Sequence, residues 1–172
     1  MSTPAPRELP ALLVEAFHRN GRVNATLLDH LTDADLGTSD GQGGLSIGQH
    51  LEHLLGFRKG WLGYISPAHT DLITYATNEG DNRYWDTTLD LGALRGAFEE
   101  GDRAALTAVQ DAYRDGRTFE RAYASDPAHF LMHALVHDAH HRGQITTLLR
   151  QHGRSLEQMD ELDGATWPIW RK

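Results

Sequence analysis

Apolar residues recur at a helical spacing through most of this chain, and no segment shows the strict alternation of a half-buried strand. The spacing predicts four main helices, over about residues 7–30, 46–65, 89–114 and 127–151. Since helices of this length must bury their apolar faces against one another, we expect an all-α fold, a four-helix bundle.

Local signals mark the ends of these helices. Ser46 followed three residues later by Gln49 forms a capping box, which favours the start of the second helix. Pro127, after the capping residues Ser125 and Asp126, is typical of a helix start. Gly153 predicts the end of the fourth helix.

The length of the chain fits one domain over residues 1–172. We expect the tail, residues 155–172, to pack back on the bundle. Residues 67–88 are long for a structureless loop, and they predict a functional crossover or lid between the second and third helices. The aromatic residues of the crossover are expected to pack on the bundle: Tyr75, Tyr84 and Trp85.

Composition excludes several classes of function. The net charge of -8 argues against a sequence-independent nucleic-acid binder, which needs a basic surface. No apolar run approaches the roughly 20 residues that span a bilayer, so no membrane partner is expected. The N-terminus lacks the pattern of a secretion signal, so we expect a cytoplasmic protein. The chain contains no cysteine, so a metal site must use nitrogen and oxygen ligands.

Histidine is the residue type that stands out. The fourth predicted helix carries four histidines within nine residues: His133, His137, His140 and His141. Histidines four residues apart project from one face of a helix about one turn apart, so two imidazoles can bind one metal ion. This helix is therefore a candidate metal site.

A helical wheel separates these four histidines. Taken at about 100° per residue, it puts His137 and His141 at the edge of the apolar face, and His133 and His140 nearer the solvent. We therefore favour the first two as ligands.

The same wheel puts Asp138 and Arg142 inside the apolar face. Because a buried charge needs a partner, we expect both residues to form salt bridges between helices or between subunits.

A third protein ligand is usual for a catalytic metal site. The second predicted helix offers His50, nearer the centre of its apolar face, and His53, at its flank. A flank suits a site in a bundle groove and a central position suits a core histidine, so the wheel leaves both residues open.

Two segments of the chain resemble the DinB/YfiT-like family. The first is residues 46–55 (SIGQHLEHLL) with Trp61 and Leu62 following, and the second is residues 137–145 (HDAHHRGQI) followed by residues 148–153 (LLRQHG). The resemblance implies a four-helix bundle with a long crossover between helices two and three, and a homodimer. It also implies a divalent metal ion, such as nickel, zinc, iron or manganese, held by three histidines.

In the family pattern, the ligand on helix two is the histidine eight residues before the tryptophan, which is His53 here. The other two ligands match His137 and His141. The chain departs from the pattern at Arg58, where an acidic residue is common. The departure is expected to alter the surroundings of the site or a dimer contact.

The resemblance also implies chemistry with thiols, because related proteins include S-transferases for small bacterial thiols and maleylpyruvate isomerases. The leading hypothesis is a metal-dependent transferase that binds a small-molecule substrate, a low-molecular-weight thiol. The alternatives are a non-enzymatic metal-binding protein of the stress response and a metal-dependent hydrolase.

Three further residues are candidates for the surroundings of the metal. Gln144 and His140 are placed to orient water or substrate. Asp138 is placed to accept a hydrogen bond from a ligand imidazole and so to fix its tautomer.

Overall fold

A computed structural model describes residues 8–76 and 90–172. In chain order its helices are α1 (Ala11–Asp29), α2 (Ile47–Ile65), α3 (Pro67–Thr70), α4 (Leu91–Arg114), α5 (Ala128–Gln151), α6 (Leu156–Thr166) and α7 (Pro168–Arg171), with a 3-10 turn at Asp33–Gly37. The described residues contain no strand. The prediction of an all-α bundle is confirmed.

The four long helices form the bundle. Helices α4 and α5 each pack against both α1 and α2, and they also contact each other. The helices that carry the candidate ligands, α2 and α5, are therefore direct neighbours. Within the two described ranges, none of the helices combines the length and apolarity that crossing a bilayer requires.

The ends of α2 and α5 follow the local signals. Ser46 caps α2 by accepting a hydrogen bond from the Gln49 amide, and the Gln49 side chain accepts from the Ser46 amide. At the start of α5, an oxygen of Asp126 accepts from the amide of Ala128 at 2.9 Å. Gly153 follows α5 at φ 97°, a left-handed conformation that favours glycine.

The crossover and the tail contain helices that periodicity did not predict. Helix α3 begins one residue after the end of α2. Tyr75 of the crossover packs on the bundle, since its hydroxyl donates to the carbonyl of Leu55 in α2 at 3.1 Å. Tyr84 and Trp85 lie outside the described residues. In the tail, α6 and α7 contact α1, and Met159 and Leu162 of α6 are buried.

The apolar core forms two clusters that lie one above the other along the bundle. One cluster contains Phe17, Val109 and Phe130, and the other contains Leu27 and Leu94. In each long helix, polar residues lie between the positions that belong to the two clusters. We call these residues the polar layer: Asn20, Asn24, Arg58, Asp102, Asp138 and Arg142.

Hydrogen bonds connect the polar layer across all four long helices. Arg58 donates two hydrogen bonds to Asp138, at 2.7 and 3.0 Å, and a third to Asp102 at 2.6 Å. Asn20 and Asn24 of α1 also donate to Asp138, at 2.6 and 2.7 Å. Both Asp138 and Arg58 are fully buried.

Arg142 is the second cation of the layer. It donates to the side-chain oxygens of Asn20 and Asn24, at 2.8 and 2.6 Å. The sequence predicted salt bridges for both charges on the apolar face of α5. Asp138 forms one with Arg58, whereas Arg142 is hydrogen-bonded to the two asparagines.

Gly101 of α4 makes room for Arg58. A Cβ atom at position 101 would lie 2.9 Å from Cδ of Arg58 and 2.8 Å from the hydroxyl oxygen of Tyr75, both closer than real contacts allow. These neighbours cannot easily move, because hydrogen bonds hold Arg58 on Asp138 and Tyr75 on Leu55.

We expect Gly101→Ala to destabilise the protein. Overpacking typically costs about 1–3 kcal/mol, which exceeds or cancels the gain of roughly 1 kcal/mol that alanine brings to a helix interior. Urea unfolding of metal-free protein measures the difference. The matched control is Gly96→Ala on the same helix, where a Cβ meets nothing within 4 Å. This control should gain about 0.5–1 kcal/mol, and an equal gain in both variants would contradict the prediction.

Candidate metal centre

Three histidines converge between α2 and α5. His53 comes from α2, and His137 and His141 come from consecutive turns of α5. One ring nitrogen from each lies within 4.8 Å of the others. The ring centroids lie 4.6–4.9 Å apart, and Nε2 of His53 is 3.1 Å from Nε2 of His137. We call these three residues the histidine cluster.

The burial of the histidines follows the helical wheel. His141 is buried, His137 and His53 are half-buried, and His133 and His140 are exposed. The wheel could predict the relative burial of these histidines because it depends only on the helical periodicity of α5. It could not show that His53 of α2 faces them.

All three rings of the cluster resist protonation. Burial, together with the smaller effect of the neighbouring imidazoles, lowers the pKa of His137 to about 4 and that of His141 to about 3. Burial also lowers the pKa of His53. At neutral pH the imidazoles of the cluster are therefore neutral, the protonation state that binds metal.

A buried atom of His137 also bears on the fit of a metal ion. Its Nδ1 is buried and has no hydrogen-bond partner among the described residues, whereas its Nε2 faces His53. Of the two nitrogens of this ring, Nε2 is thus the one that contacts the cluster. Three converging neutral nitrogens suit zinc, nickel or iron, and they leave further positions for water or substrate. The cluster is therefore compatible with a divalent metal ion.

His50, the alternative that the wheel left open, lies beside the cluster. It is 4% exposed, and its Nδ1 is 2.9 Å from Nδ1 of His141. Among the described residues, the group of three whose ligand atoms lie within 4.8 Å of one another is His53, His137 and His141. His50 thus contacts the cluster without belonging to it.

Three aromatic side chains lie beside His137, and we call them the aromatic wall: Phe57, Trp61 and Tyr123. Phe57, four residues after His53, stacks on the His137 ring with centroids 4.3 Å apart. Trp61 and Tyr123 extend this surface, with their centroids 5.4 Å apart. The sequence analysis did not single out Phe57, although its spacing from His53 places both on one face of α2.

The remaining candidate residues lie in two different settings. The side chains of His140 and Gln144 contact each other at 2.6 Å and line a surface groove together with His50 and Asp40. Asp138 lies in the polar layer, where four hydrogen bonds from Arg58, Asn20 and Asn24 reach its oxygens.

The positive charge of Arg58 helps to lower the pKa of Asp138. Burial alone would raise the pKa of this carboxyl, but Arg58 and the donated hydrogen bonds hold it below its usual value. Arg58, the departure from the family pattern, is thus the cation that allows a carboxylate to be buried one residue away from His137. Two asparagines four residues apart on the apolar face of α1 were the sequence signal for this network.

Comparison with known proteins gives one family. The model of the DinB family matches residues 1–172, the whole chain. No curated protein and no solved structure shows significant similarity to the chain.

We expect the free energy of unfolding of metal-free protein to fall as the pH drops from about 6.5 towards 4. The folded state holds the pKa of His137 at about 4 and that of His141 at about 3, whereas unfolded histidine titrates near 6.5. Between these pH values, His137 and His141 bind protons in the unfolded chain but not in the folded chain. Above this range these groups add no pH dependence. Urea unfolding with a chelator, at about pH 7.5 and about pH 5, measures the effect.

His137→Leu is the matched control for this titration. It removes one of the groups with a lowered pKa, so stability should depend less steeply on pH than in the wild-type protein. An equal free energy of unfolding at the two pH values in the wild-type protein would refute the expectation.

Proposed function

The chain belongs to the DinB family, and we propose that it binds one divalent metal ion through His53, His137 and His141. The proposal rests on the convergence of three ring nitrogens within 4.8 Å. It is supported by the lowered pKa of each ring, because each imidazole then offers a lone pair at neutral pH without first releasing a proton.

We further propose that the protein is a transferase that acts with a low-molecular-weight thiol. The support is the resemblance to thiol S-transferases of this family, together with a ligand set that leaves positions for a substrate. When bound, a divalent ion supplies Lewis acidity and lowers the pKa of a thiol or water molecule that it coordinates. Since the chain has no cysteine, the thiol must come from solution.

Residues around the cluster have distinct parts in this proposal. The aromatic wall shields one side of His137 from water and offers apolar surface to the carbon skeleton of an electrophile. His140 and Gln144 line a groove together with His50, where they can exchange hydrogen bonds with a polar substrate.

In the hydrolase alternative, Asp138 would not be the general base. A hydrolase needs a general base near the reacting water. The carboxylate next to His137 in sequence accepts four hydrogen bonds within the polar layer and has a lowered pKa, so it is a poor proton acceptor.

We expect protein purified without a nickel column to contain about one divalent ion per chain. Each of the variants His53→Ala, His137→Ala and His141→Ala should lose most of this metal, because two imidazoles bind an ion far more weakly than three. Elemental analysis of purified protein measures the occupancy.

His133→Ala is the matched control for metal binding. It lies one turn from His137 on the same helix, but its ring is exposed and its Nδ1 contacts the hydroxyl of Tyr123 at 2.8 Å. This variant should retain its metal. Full occupancy in His137→Ala would refute the assignment of the site.

The thiol proposal has a separate test. Metal-loaded protein is assayed with glutathione, mycothiol or bacillithiol and an alkyl or aryl halide, so that a sulfur–carbon bond forms as halide leaves. We expect turnover with one of these thiols, loss of turnover with a chelator, and none in His137→Ala. If a protein shown to hold metal turned over none of them, the transferase proposal would fail.

A further inference from the structure

His50 is the one buried histidine at the site that the proposed metal binding does not use. Its ring lies against His141, with centroids 5.1 Å apart and planes 53° apart. The two Nδ1 atoms are 2.9 Å apart, an ordinary hydrogen-bond distance. Because His50 occupies Nδ1 of His141, the atom left to His141 for the cluster is Nε2.

The contact between His50 and His141 depends on which of the two Nδ1 atoms carries a proton. A neutral imidazole carries one N–H and one lone pair, and burial of both rings favours the neutral forms. At 2.9 Å the pair must share one proton, because two lone pairs or two N–H groups would repel each other. If His50 donates it, the proton of His141 sits on Nε2 and blocks that atom. If His141 donates it, Nε2 keeps its lone pair.

We propose that His50 is a positioning residue that accepts a hydrogen bond from Nδ1–H of His141. This contact holds His141 in the tautomer whose Nε2 is free to bind a metal ion, and it fixes the orientation of the ring. The proposal rests on the proposed metal-binding function. Metal-bound histidines usually donate their second N–H to a carboxylate, a carbonyl or water, and here a buried histidine takes that place.

The two cluster histidines of α5 differ in this respect. His141 has a side-chain partner at Nδ1, whereas Nδ1 of His137 is buried without a partner among the described residues. His50 thus supports one specific ligand, and its loss should act on His141 more than on His137.

The first test reads the tautomers directly. Long-range 1H–15N NMR spectra of metal-free protein at neutral pH distinguish protonated from unprotonated ring nitrogens. We expect the proton of His141 on Nδ1 and that of His50 on Nε2, and the reverse assignment would overturn the proposal. Because this measurement needs no metal, it decides the proposal even if the wild-type protein binds none, a result that would refute only the proposed metal site.

The second test compares two substitutions. His50→Leu removes the acceptor, whereas His50→Asn keeps an oxygen near the position of Nδ1. Competition with a chelating dye measures zinc affinity. We expect His50→Leu to bind zinc about 10–100-fold more weakly and His50→Asn to recover most of that loss. The exposed His152→Leu at the end of α5 is the control and should bind like the wild-type protein.

Two outcomes of the second test would overturn the proposal. Zinc affinity in His50→Leu equal to that of the wild-type protein would show that His141 needs no acceptor. An equal loss in His50→Asn and His50→Leu would show that His50 acts by packing or as a ligand. Unfolding curves of the metal-free variants separate weaker binding from loss of the fold.

Discussion

The ion pair between Arg58 and Asp138 is the interaction on which this bundle depends. Both side chains are fully buried, and removing one charge of such a pair typically costs about 3–5 kcal/mol because the other is left uncompensated. The pair joins α2 to α5, Asp102 adds α4, and Asn20 adds α1. Each long helix is therefore held at one height relative to the others.

This fixed height positions the histidine cluster. Asp138 follows His137 directly, and Arg58 lies five residues after His53, so the ion pair and the cluster share the same register of α2 against α5. A shift of one helical turn between them would move the His53 ring about 5.4 Å from its partners. Apolar contacts alone tolerate such slips better than a buried, fully hydrogen-bonded charge pair does.

The sequence predicted the parts of this structure that depend on one helix at a time. Apolar spacing located the long helices, and the wheel placed His137 and His141 at a sheltered edge. The contact between His50 and His141 could not be predicted, because it depends on how α2 docks on α5. Arg58 was recognised only as a departure from a pattern, since its partners lie on two other helices. Helix α6 escaped prediction because it buries few apolar residues, Met159 and Leu162 among them.

The polar layer divides the apolar core into two clusters, and this division has an evolutionary consequence. Each cluster packs its own side chains, so substitutions among the histidines beside the polar layer leave most of the apolar packing in place. Substitutions at these histidines can therefore accumulate while the bundle keeps its fold. A scaffold of this kind separates the residues of the candidate site from those that keep the chain folded.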